Sequence, residues 1–261
     1  MPPATWDPAT YLRYGDERSR PFLDLLSRVD VDAGRIVDLG CGPGHLTAVL
    51  RARWPEADIE GIDSSTQMIA RARADDTNAR SRYTEADLLQ WLPDGPVDLL
   101  VSNATLQWVP GHLEQLPRLA DLVAPAGAFA FSVPGNFDAP SHVLLDEVAA
   151  LPAYAAHTEG RERASAHDPQ IYLDALARPG WRVDAWESTY FHVLSGADPV
   201  FEWISGTGAR PVLQALPDDL RERFVADFKA QLRLAYPPRA YGTVLPFRRV
   251  LVVATRTGDA P

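Results

Sequence analysis

The stretch RIVDLGCGPG, residues 35–44, decides how the chain is interpreted. Its first five residues form a short apolar and β-branched run, which predicts a buried strand that ends in glycines. Glycines let the backbone turn tightly and approach a ligand closely, and the N–H groups of a following helix attract an anionic group. A helix is predicted over 44–53. The sequence therefore predicts a strand, a ligand-binding loop and a helix in succession.

The spacing of the glycines separates two classes of ligand. Gly40, Gly42 and Gly44 follow Asp38 in the order Gly-x-Gly-x-Gly. The dinucleotide fingerprint needs its third glycine one residue later, where this chain has His45. An acidic residue followed by Gly-x-Gly-x-Gly is instead the pattern of enzymes that use S-adenosylmethionine. An NAD-dependent oxidoreductase and a cofactor-binding module without activity are the alternatives from other classes.

Two further acidic residues follow predicted strands. Asp63 ends a strand over 57–63 and stands near the spacing at which an acid meets ribose hydroxyls. Asp87 follows a weak strand near 80–84 and is a candidate acceptor for an adenine amino group. Each is also a candidate helix cap, the usual role of an aspartate at such a place. Because ligands bind at the carboxyl ends of strands in open α/β sheets, we interpret the acids as one cofactor site.

The residues after the strand over 97–102 are expected near the transferred group. Asn103 and Gln107 are candidate cofactor ligands there, and Trp108 is a candidate wall of the site or simply a core residue. No Asn-Pro-Pro-Tyr or Asp-Pro-Pro-Tyr sequence stands at this place, which disfavours methylation of a base or amide nitrogen.

The order of the predicted elements indicates an α/β class. Strands alternate with helices as far as Pro134, which predicts βαβ units and a Rossmann-like, mostly parallel, seven-stranded sheet with helices on both faces. The last strand pair is expected to be antiparallel. The chain is interpreted as one domain over 1–261, with an N-terminal helical segment over 1–30, a cofactor-binding core over 31–136, closing strands over 180–193 and 246–256, and a helical lid over 137–167 and 194–240.

Composition restricts the partners. The formal net charge of −10 disfavours nucleic acid, because phosphate binding needs a basic face. Cys41 is the single cysteine, which favours a reducing, cytoplasmic compartment. The sequence has no apolar run long enough to span a membrane, and its first residues are not those of a signal peptide. A monomer or weak homodimer is expected.

At this point the chain resembles the trans-aconitate 2-methyltransferase family of class I S-adenosylmethionine-dependent enzymes. The glycine loop is shared by many methyltransferases, whereas the segments after residue 134 are specific to this family. The resemblance is carried by Trp6-Asp7-Pro8 with Tyr11, Glu17-Arg18-Ser19-Arg20-Pro21, Gly61-Ile62-Asp63-Ser64-Ser65, Gln107-Trp108-Val109-Pro110, Pro134-Gly135-Asn136-Phe137, Pro140-Ser141-His142, Thr189-Tyr190 with His192, Trp203 with Gly206-Thr207-Gly208, Arg210-Pro211, Ala235-Tyr236-Pro237-Pro238 and Pro246-Phe247-Arg248-Arg249.

The resemblance implies methyl esterification of a carboxylate of trans-aconitate, which yields the monomethyl ester and S-adenosylhomocysteine. Another small polar or carboxylate metabolite is the alternative substrate. A carboxylate is already ionised at neutral pH, so no general base and no catalytic side chain are predicted. No pair of residues has metal-ligand spacing, so no metal is predicted.

The other carboxylates of such a substrate need fixed cations and hydrogen-bond donors. Arginine binds carboxylates in a bidentate manner, and Arg210 is the first candidate because glycines precede it. Arg161 and Arg163 are expected to be solvated and paired with neighbouring glutamates. The predicted cofactor ligands are Asp38, Gly40, Gly42, Gly44, Asp63, Ser64, Met68, Asp87, Leu88, Asn103 and Gln107, and the predicted substrate ligands are Tyr11, Arg20, Trp108, His142, Tyr190, Trp203 and Arg210.

Overall fold

The computed structural model describes residues 15–161 and 163–258, with side chains from residue 19 onward. Within this part of the chain the strands are β1 Arg35–Leu39, β2 Asp58–Asp63, β3 Ser81–Glu85, β4 Val97–Asn103, β5 Val123–Pro134, β6 Trp181–Leu194 and β7 Thr243–Arg256. They form one seven-stranded sheet in the order β3-β2-β1-β4-β5-β7-β6. The neighbours from β3 to β5 pair in parallel, and β7 runs antiparallel to β5. The predicted α/β class is confirmed, with its mostly parallel sheet and antiparallel ending.

Within the described residues, helices are present in each segment that the sequence predicts to be helical. The predicted helix over 44–53 begins only at Thr47, because Gly44 has a positive φ and its carbonyl closes a turn onto the Thr47 N–H. The helices are α1 Gly15–Leu26, α2 Thr47–Arg53, α3 Thr66–Asp75, α4 His112–Asp121, α5 Pro140–Ala149, α6 Ala155–Thr158, α7 Pro169–Leu176, α8 Pro199–Ser205, α9 Arg210–Ala215 and α10 Asp218–Ala235, with a 3₁₀ turn over Leu106–Trp108.

Helices cover both faces of the parallel strands, as predicted. Successive side chains of a strand point to opposite faces, so Ile36 and Val37 of β1 enter two different apolar clusters. One cluster also holds Phe22 of α1 and Leu50 of α2. The other holds side chains of α4 and α7, among them Leu116, Leu119, Tyr172 and Leu176. Strands buried on both faces are the reason that β1 and β4 read as nearly continuous apolar runs.

The chain separates into two compact units. The sheet unit has its described residues in 15–134, 166–188 and 249–258, and it contains β1 to β5. The helical unit has its described residues in 135–161, 163–165 and 189–248, and it contains α5, α6 and α8 to α10. The predicted single domain with a helical lid stays a prediction.

Candidate functional site

The glycine loop after β1 is shaped by left-handed backbone conformations. The φ angles of Gly40, Gly42 and Gly44 are 76°, 55° and 77°. The Gly40 N–H donates to the Ile62 carbonyl at 2.7 Å, and the Gly42 N–H donates to Oδ2 of Asp63 at 2.9 Å. The Cys41 N–H also donates to the Ile62 carbonyl, at 3.0 Å, so the end of β2 fixes the loop by accepting from three of its backbone N–H groups.

The glycines of the loop serve different purposes. A Cβ on Gly40 would lie 2.0 Å from Oγ1 of Thr105, and one on Gly44 would lie 3.0 Å from Cβ of Ala72. A Cβ on Gly42 would meet nothing within 4 Å. Gly40 and Gly44 are thus required by packing within the protein, whereas the space beside Gly42 is open to a ligand.

Asp38, near the end of β1, is a buried acid. The residue is 1% exposed, and its Oδ2 atom has no hydrogen-bond partner in the part of the chain that the structure describes. Burial, and to a smaller extent the charge of Asp63, raise the pKa of Asp38 to about 7. A buried acceptor without a partner is costly, so this oxygen fits a ligand group that donates or carries positive charge.

Asp63 is occupied with backbone donors. Besides the Gly42 N–H, it accepts the Ser65 N–H at 2.8 Å through Oδ1. Ser65 is the N-cap of α3, and its Oγ accepts the Met68 N–H at 3.4 Å. Burial raises the pKa of Asp63, and these two hydrogen bonds oppose the rise. Asp63 therefore orders both the glycine loop and the start of α3, while binding of ribose stays a prediction, as it does for exposed Ser64.

Asp87 lies at an exposed turn after β3. Its Oδ1 accepts the Leu89 N–H at 2.9 Å, and its carbonyl accepts the Trp91 N–H at 2.8 Å. Leu88 packs against the core, and its carbonyl accepts from Arg118 at 3.0 Å. Asp87 caps this turn, but no helix of the described residues begins here, so the helix-cap alternative for Asp87 is wrong. Contact with adenine stays a prediction.

The turn after β4 is strained and closely hydrogen bonded. Ala104 adopts a φ of 56°, which is uncommon for a residue with a Cβ. Its N–H donates to the Ser132 carbonyl at 2.8 Å, and its carbonyl accepts Nε2 of Gln107 at 2.6 Å. The Ser132 hydroxyl donates to Oδ1 of Asn103 at 2.5 Å. These bonds fix both amide side chains that the sequence assigns to this turn.

Gln107 presents a second buried acceptor. The residue is 4% exposed, and its Oε1 atom has no hydrogen-bond partner among the described residues. Trp108, the next residue, is half-buried, and its contact with a ligand stays a prediction. Two buried acceptors of the sheet unit thus lack a partner within the described segments, namely Oδ2 of Asp38 in β1 and Oε1 of Gln107 in the 3₁₀ turn after β4.

The helical unit contains buried donors and aromatic rings. Arg210 begins α9 and is 6% exposed. His142 on α5 packs edge-on against Phe137, with ring centroids 5.2 Å apart. A Cβ on Gly208 would lie 3.0 Å from Nε2 of His142, so the chain passes this imidazole closely two residues before Arg210. Burial lowers the pKa of His142 to about 4, which keeps the ring neutral at physiological pH.

A second aromatic group joins β6 to α8. The ring of His192 stacks on Trp203 with centroids 4.5 Å apart, and Tyr190 lies nearly parallel to His192 at 6.4 Å. Phe247 of β7 packs edge-on against Trp203 at 5.6 Å. The structure therefore brings the predicted ligands Tyr190 and Trp203 together with His192.

The comparisons with known proteins agree along almost the whole chain. A family model described as a methyltransferase domain matches residues 11–198. Trans-aconitate 2-methyltransferase of Streptomyces avermitilis is 49% identical over 97% of this chain and 98% of the relative. The protein of the same name from Mycobacterium tuberculosis is 44% identical over 95% of this chain and 96% of the relative. This chain belongs to the trans-aconitate 2-methyltransferase family.

Solved structures share the fold of this family member. Geranyl diphosphate C-methyltransferase from Streptomyces coelicolor, solved with S-adenosyl-L-homocysteine, has a TM-score of 0.52 at 16% identity, over 92% of this chain and 77% of that one. The YcgJ protein of Bacillus subtilis has a TM-score of 0.54 at 13% identity, over 91% of this chain and 98% of that one. At such identities the likeness establishes the fold alone. The prediction of an S-adenosylmethionine-dependent methyltransferase is confirmed by the family, and the predicted Rossmann-like fold is confirmed by the solved structures.

In this member of the trans-aconitate 2-methyltransferase family, the environment of Arg161 differs from the one that the sequence predicts. The Arg161 side chain is 7% exposed, so the prediction that it is solvated is wrong. It pairs with Asp146 of α5 and donates to the Thr158 carbonyl, and burial lowers its pKa. Arg163 is exposed as expected, but it faces Asp146 at 3.6 Å. Asp146 lies fifteen residues before Arg161, so sequence proximity alone could not indicate this pairing.

The other predicted ligands have different surroundings. Arg20 is exposed on α1, and Tyr11 lies outside the described residues. Sequence reasoning did not single out Asn136, a buried amide just after β5. An asparagine directly after a core strand was the available signal.

The residues that the structure describes also bear on metal binding and on membrane insertion. Among those residues no three His, Cys, Asp or Glu side chains come together in a way that could hold a metal ion. No helix of the described segments has the length and apolar character needed to cross a bilayer.

Proposed function

We propose that this protein transfers a methyl group from S-adenosylmethionine to a carboxylate of trans-aconitate, forming the monomethyl ester and S-adenosylhomocysteine. The observation that carries the cofactor is the pair of buried acceptors without partners, Oδ2 of Asp38 and Oε1 of Gln107. The substrate follows from relatives named trans-aconitate 2-methyltransferase that match from end to end.

The buried acceptors of Asp38 and Gln107 and the open space beside Gly42 fit S-adenosylmethionine. This molecule carries an ammonium group, hydroxyl groups and an adenine amino group, all of which donate, and a positive sulfonium. Unpartnered acceptors and the open space beside Gly42 suit such a ligand, because each buried acceptor then gains a partner. We assign its binding to Asp38, Gly40, Gly42, Gly44, Asp63, Ser64, Met68, Asp87, Leu88, Asn103 and Gln107.

The chemistry asks little of the side chains beyond position. When bound, S-adenosylmethionine supplies a sulfonium methyl group that an anionic oxygen can attack in line. A carboxylate has a pKa near 4 and is ionised without help, so no residue has to remove a proton. The protein acts by orienting the carboxylate and by excluding water, which favours the meeting of an anion and a cation. Ser132 contributes by fixing Asn103 at the end of β4.

The helical unit supplies groups that suit an anion. Arg210 brings a charged, buried guanidinium, and neutral His142 can donate a hydrogen bond without adding charge. We assign substrate binding to Tyr11, Arg20, Trp108, His142, Tyr190, Trp203 and Arg210. We further propose that the enzyme is cytoplasmic, holds no metal, and works as a monomer or weak homodimer within a single methyltransferase domain.

The test is incubation of the purified protein with methyl-labelled S-adenosylmethionine and a panel of small carboxylates, followed by mass spectrometry. We expect trans-aconitate monomethyl ester as the main product. Labelling of another metabolite with none of this ester would overturn the proposed substrate. Labelling of nothing, combined with thermal stabilisation by NADH, would overturn the reaction class.

Arg210→Ala separates substrate binding from cofactor binding. Loss of a charge-assisted pair costs about 1.5–3 kcal/mol, so we expect the KM for trans-aconitate to rise roughly 10- to 100-fold. The Kd for S-adenosylhomocysteine should stay within about twofold. Arg223→Ala, on an exposed position of α10, is the matched control and should change neither value. Equal weakening of both ligands in calorimetric titration would make Arg210 a structural residue.

A further inference from the structure

The side-chain amide of Asn136 is buried just after β5. It stands two residues after the end of β5, and it is 5% exposed. Both side-chain atoms, Nδ2 and Oδ1, are buried and lack a hydrogen-bond partner within the described residues. Most buried polar groups in proteins are paired, so an exception of this kind marks a place where another molecule completes the bonds.

The backbone around Asn136 is fixed. The Gly135 N–H donates to the Arg248 carbonyl at 2.9 Å, and Nη1 of Arg248 donates back to the Gly135 carbonyl at 3.0 Å. The carbonyl of Asn136 accepts the Ala139 N–H at 3.0 Å, in the turn that leads into α5. These bonds fix the backbone position from which the Asn136 side chain extends.

The residue that follows Asn136 contacts His142, a predicted substrate ligand. Phe137 packs edge-on against the neutral imidazole of His142, which in turn lies against Gly208. Ligands of open α/β sheets bind at the carboxyl ends of the strands, and Asn136 follows such an end directly. Position and unmet hydrogen bonds thus point to the same kind of role.

We infer that Asn136 is a substrate-binding residue, whose Nδ2 donates to an oxygen of a carboxylate that is not methylated. An ionised carboxylate only accepts, so Oδ1 of Asn136 takes its hydrogen bond from a water molecule held by the same carboxylate. The inference rests on the proposed polycarboxylate methyltransferase function, and it adds a neutral amide to the cationic Arg210 as a determinant of substrate choice.

Asn136→Leu tests the inference, because leucine has the same number and branching of side-chain heavy atoms and needs no hydrogen bond. Without ligand, we expect the Tm to rise by a few degrees, since an unpaired buried amide is removed. The KM for trans-aconitate should rise about tenfold, because a change of this size corresponds to the loss of one hydrogen bond to a charged group. The Kd for S-adenosylhomocysteine should not change. Asn136→Asp should raise the KM further, because it places a negative charge against the carboxylate.

Gln231→Leu on α10 is the control, since it removes an exposed amide and should alter neither Tm nor KM strongly. A lower Tm of Asn136→Leu with an unchanged KM would overturn the inference and make the amide structural. The second readout is thermal stabilisation of the S-adenosylhomocysteine complex by trans-aconitate or another tricarboxylate. Stabilisation of the wild type without methyl transfer would overturn only the proposed reaction, and its loss in Asn136→Leu would still support the site. No stabilisation of the wild type by any tricarboxylate would overturn both.

Discussion

The polar groups proposed to hold the two ligands differ between the two units. In the sheet unit, Asp38 and Gln107 each bury an acceptor that has no partner among the described residues. The helical unit contributes groups that can donate, namely the buried Arg210 guanidinium, the half-buried, neutral His142 ring and the buried Asn136 amide. Acceptors suit a ligand that is cationic and rich in donors, and donors suit an anion. This difference is the basis of the proposed assignment of S-adenosylmethionine to the sheet unit and of the polycarboxylate to the helical unit.

The largest effect on the free energy of unfolding is expected from Gly40→Ala in the loop of the sheet unit, and Gly42→Ala is its comparison. Gly40→Ala forces a Cβ to within 2.0 Å of Thr105 at a positive φ, and should destabilise the protein by about 3 kcal/mol or more. Gly42→Ala has a positive φ but open space, so it should cost only about 1 kcal/mol. Urea unfolding measures both values.

Binding of S-adenosylhomocysteine completes the test of the loop. Gly42→Ala, although folded, should weaken this binding by about tenfold or more if a ligand occupies the space beside Gly42. A folded Gly42→Ala protein with unchanged affinity would show that the ligand lies elsewhere.

The next largest effect is expected from Asp38→Asn, which removes the buried acidic charge of the sheet unit. S-adenosylmethionine should bind about tenfold more weakly to the variant at pH 8, because a charge-assisted contact is lost. For the wild type, affinity should weaken as the pH falls through about 7, where Asp38 takes up a proton. Isothermal titration between pH 6 and pH 8.5 measures both, and a flat profile for the wild type would contradict the role of Asp38.

Asp38 also makes stability depend on pH. Because the pKa of folded Asp38 is about 7 instead of 3.8, the folded state holds a proton that the unfolded chain releases, and stability falls as the pH rises between these values. His142, with a pKa lowered from 6.5 to about 4, acts in the opposite direction, because the unfolded chain binds the proton there. Asp38→Asn removes only the first effect, so its Tm should rise with pH from about 4 to 6.5 more steeply than that of the wild type.

The smallest effect is expected from Gly208→Ala in the helical unit. The new Cβ would lie 3.0 Å from Nε2 of His142 and should displace this ring by a few tenths of an ångström. We expect the KM for trans-aconitate to rise about threefold to tenfold, as for modest overpacking, with cofactor affinity unchanged. A change in cofactor affinity alone would reverse the assignment of the two units.

The sequence predicted the parts of the fold that depend on local pattern. The alternation of strands and helices correctly predicted the sheet. The glycines after Asp38 correctly predicted the loop, because glycine adopts the positive φ angles that such a turn needs. It could not predict which polar groups stay unpaired, since pairing depends on residues distant in sequence. Arg161 is paired with Asp146, which lies fifteen residues earlier in the sequence. The buried side-chain amide of Asn136, in contrast, has no partner among the described residues.

The cysteine of the glycine loop is buried away from solvent. Cys41 is buried against Tyr83, Ile69 and Ala72, and a Cβ on Gly61 would lie 2.8 Å from its Sγ. Burial and the charges of Asp38 and Asp63 raise the pKa of the thiol, so little reactive thiolate forms. The same packing that holds the loop in shape therefore protects it from oxidants and alkylating agents, and methyl transfer should withstand oxidative conditions that inactivate enzymes with exposed thiols.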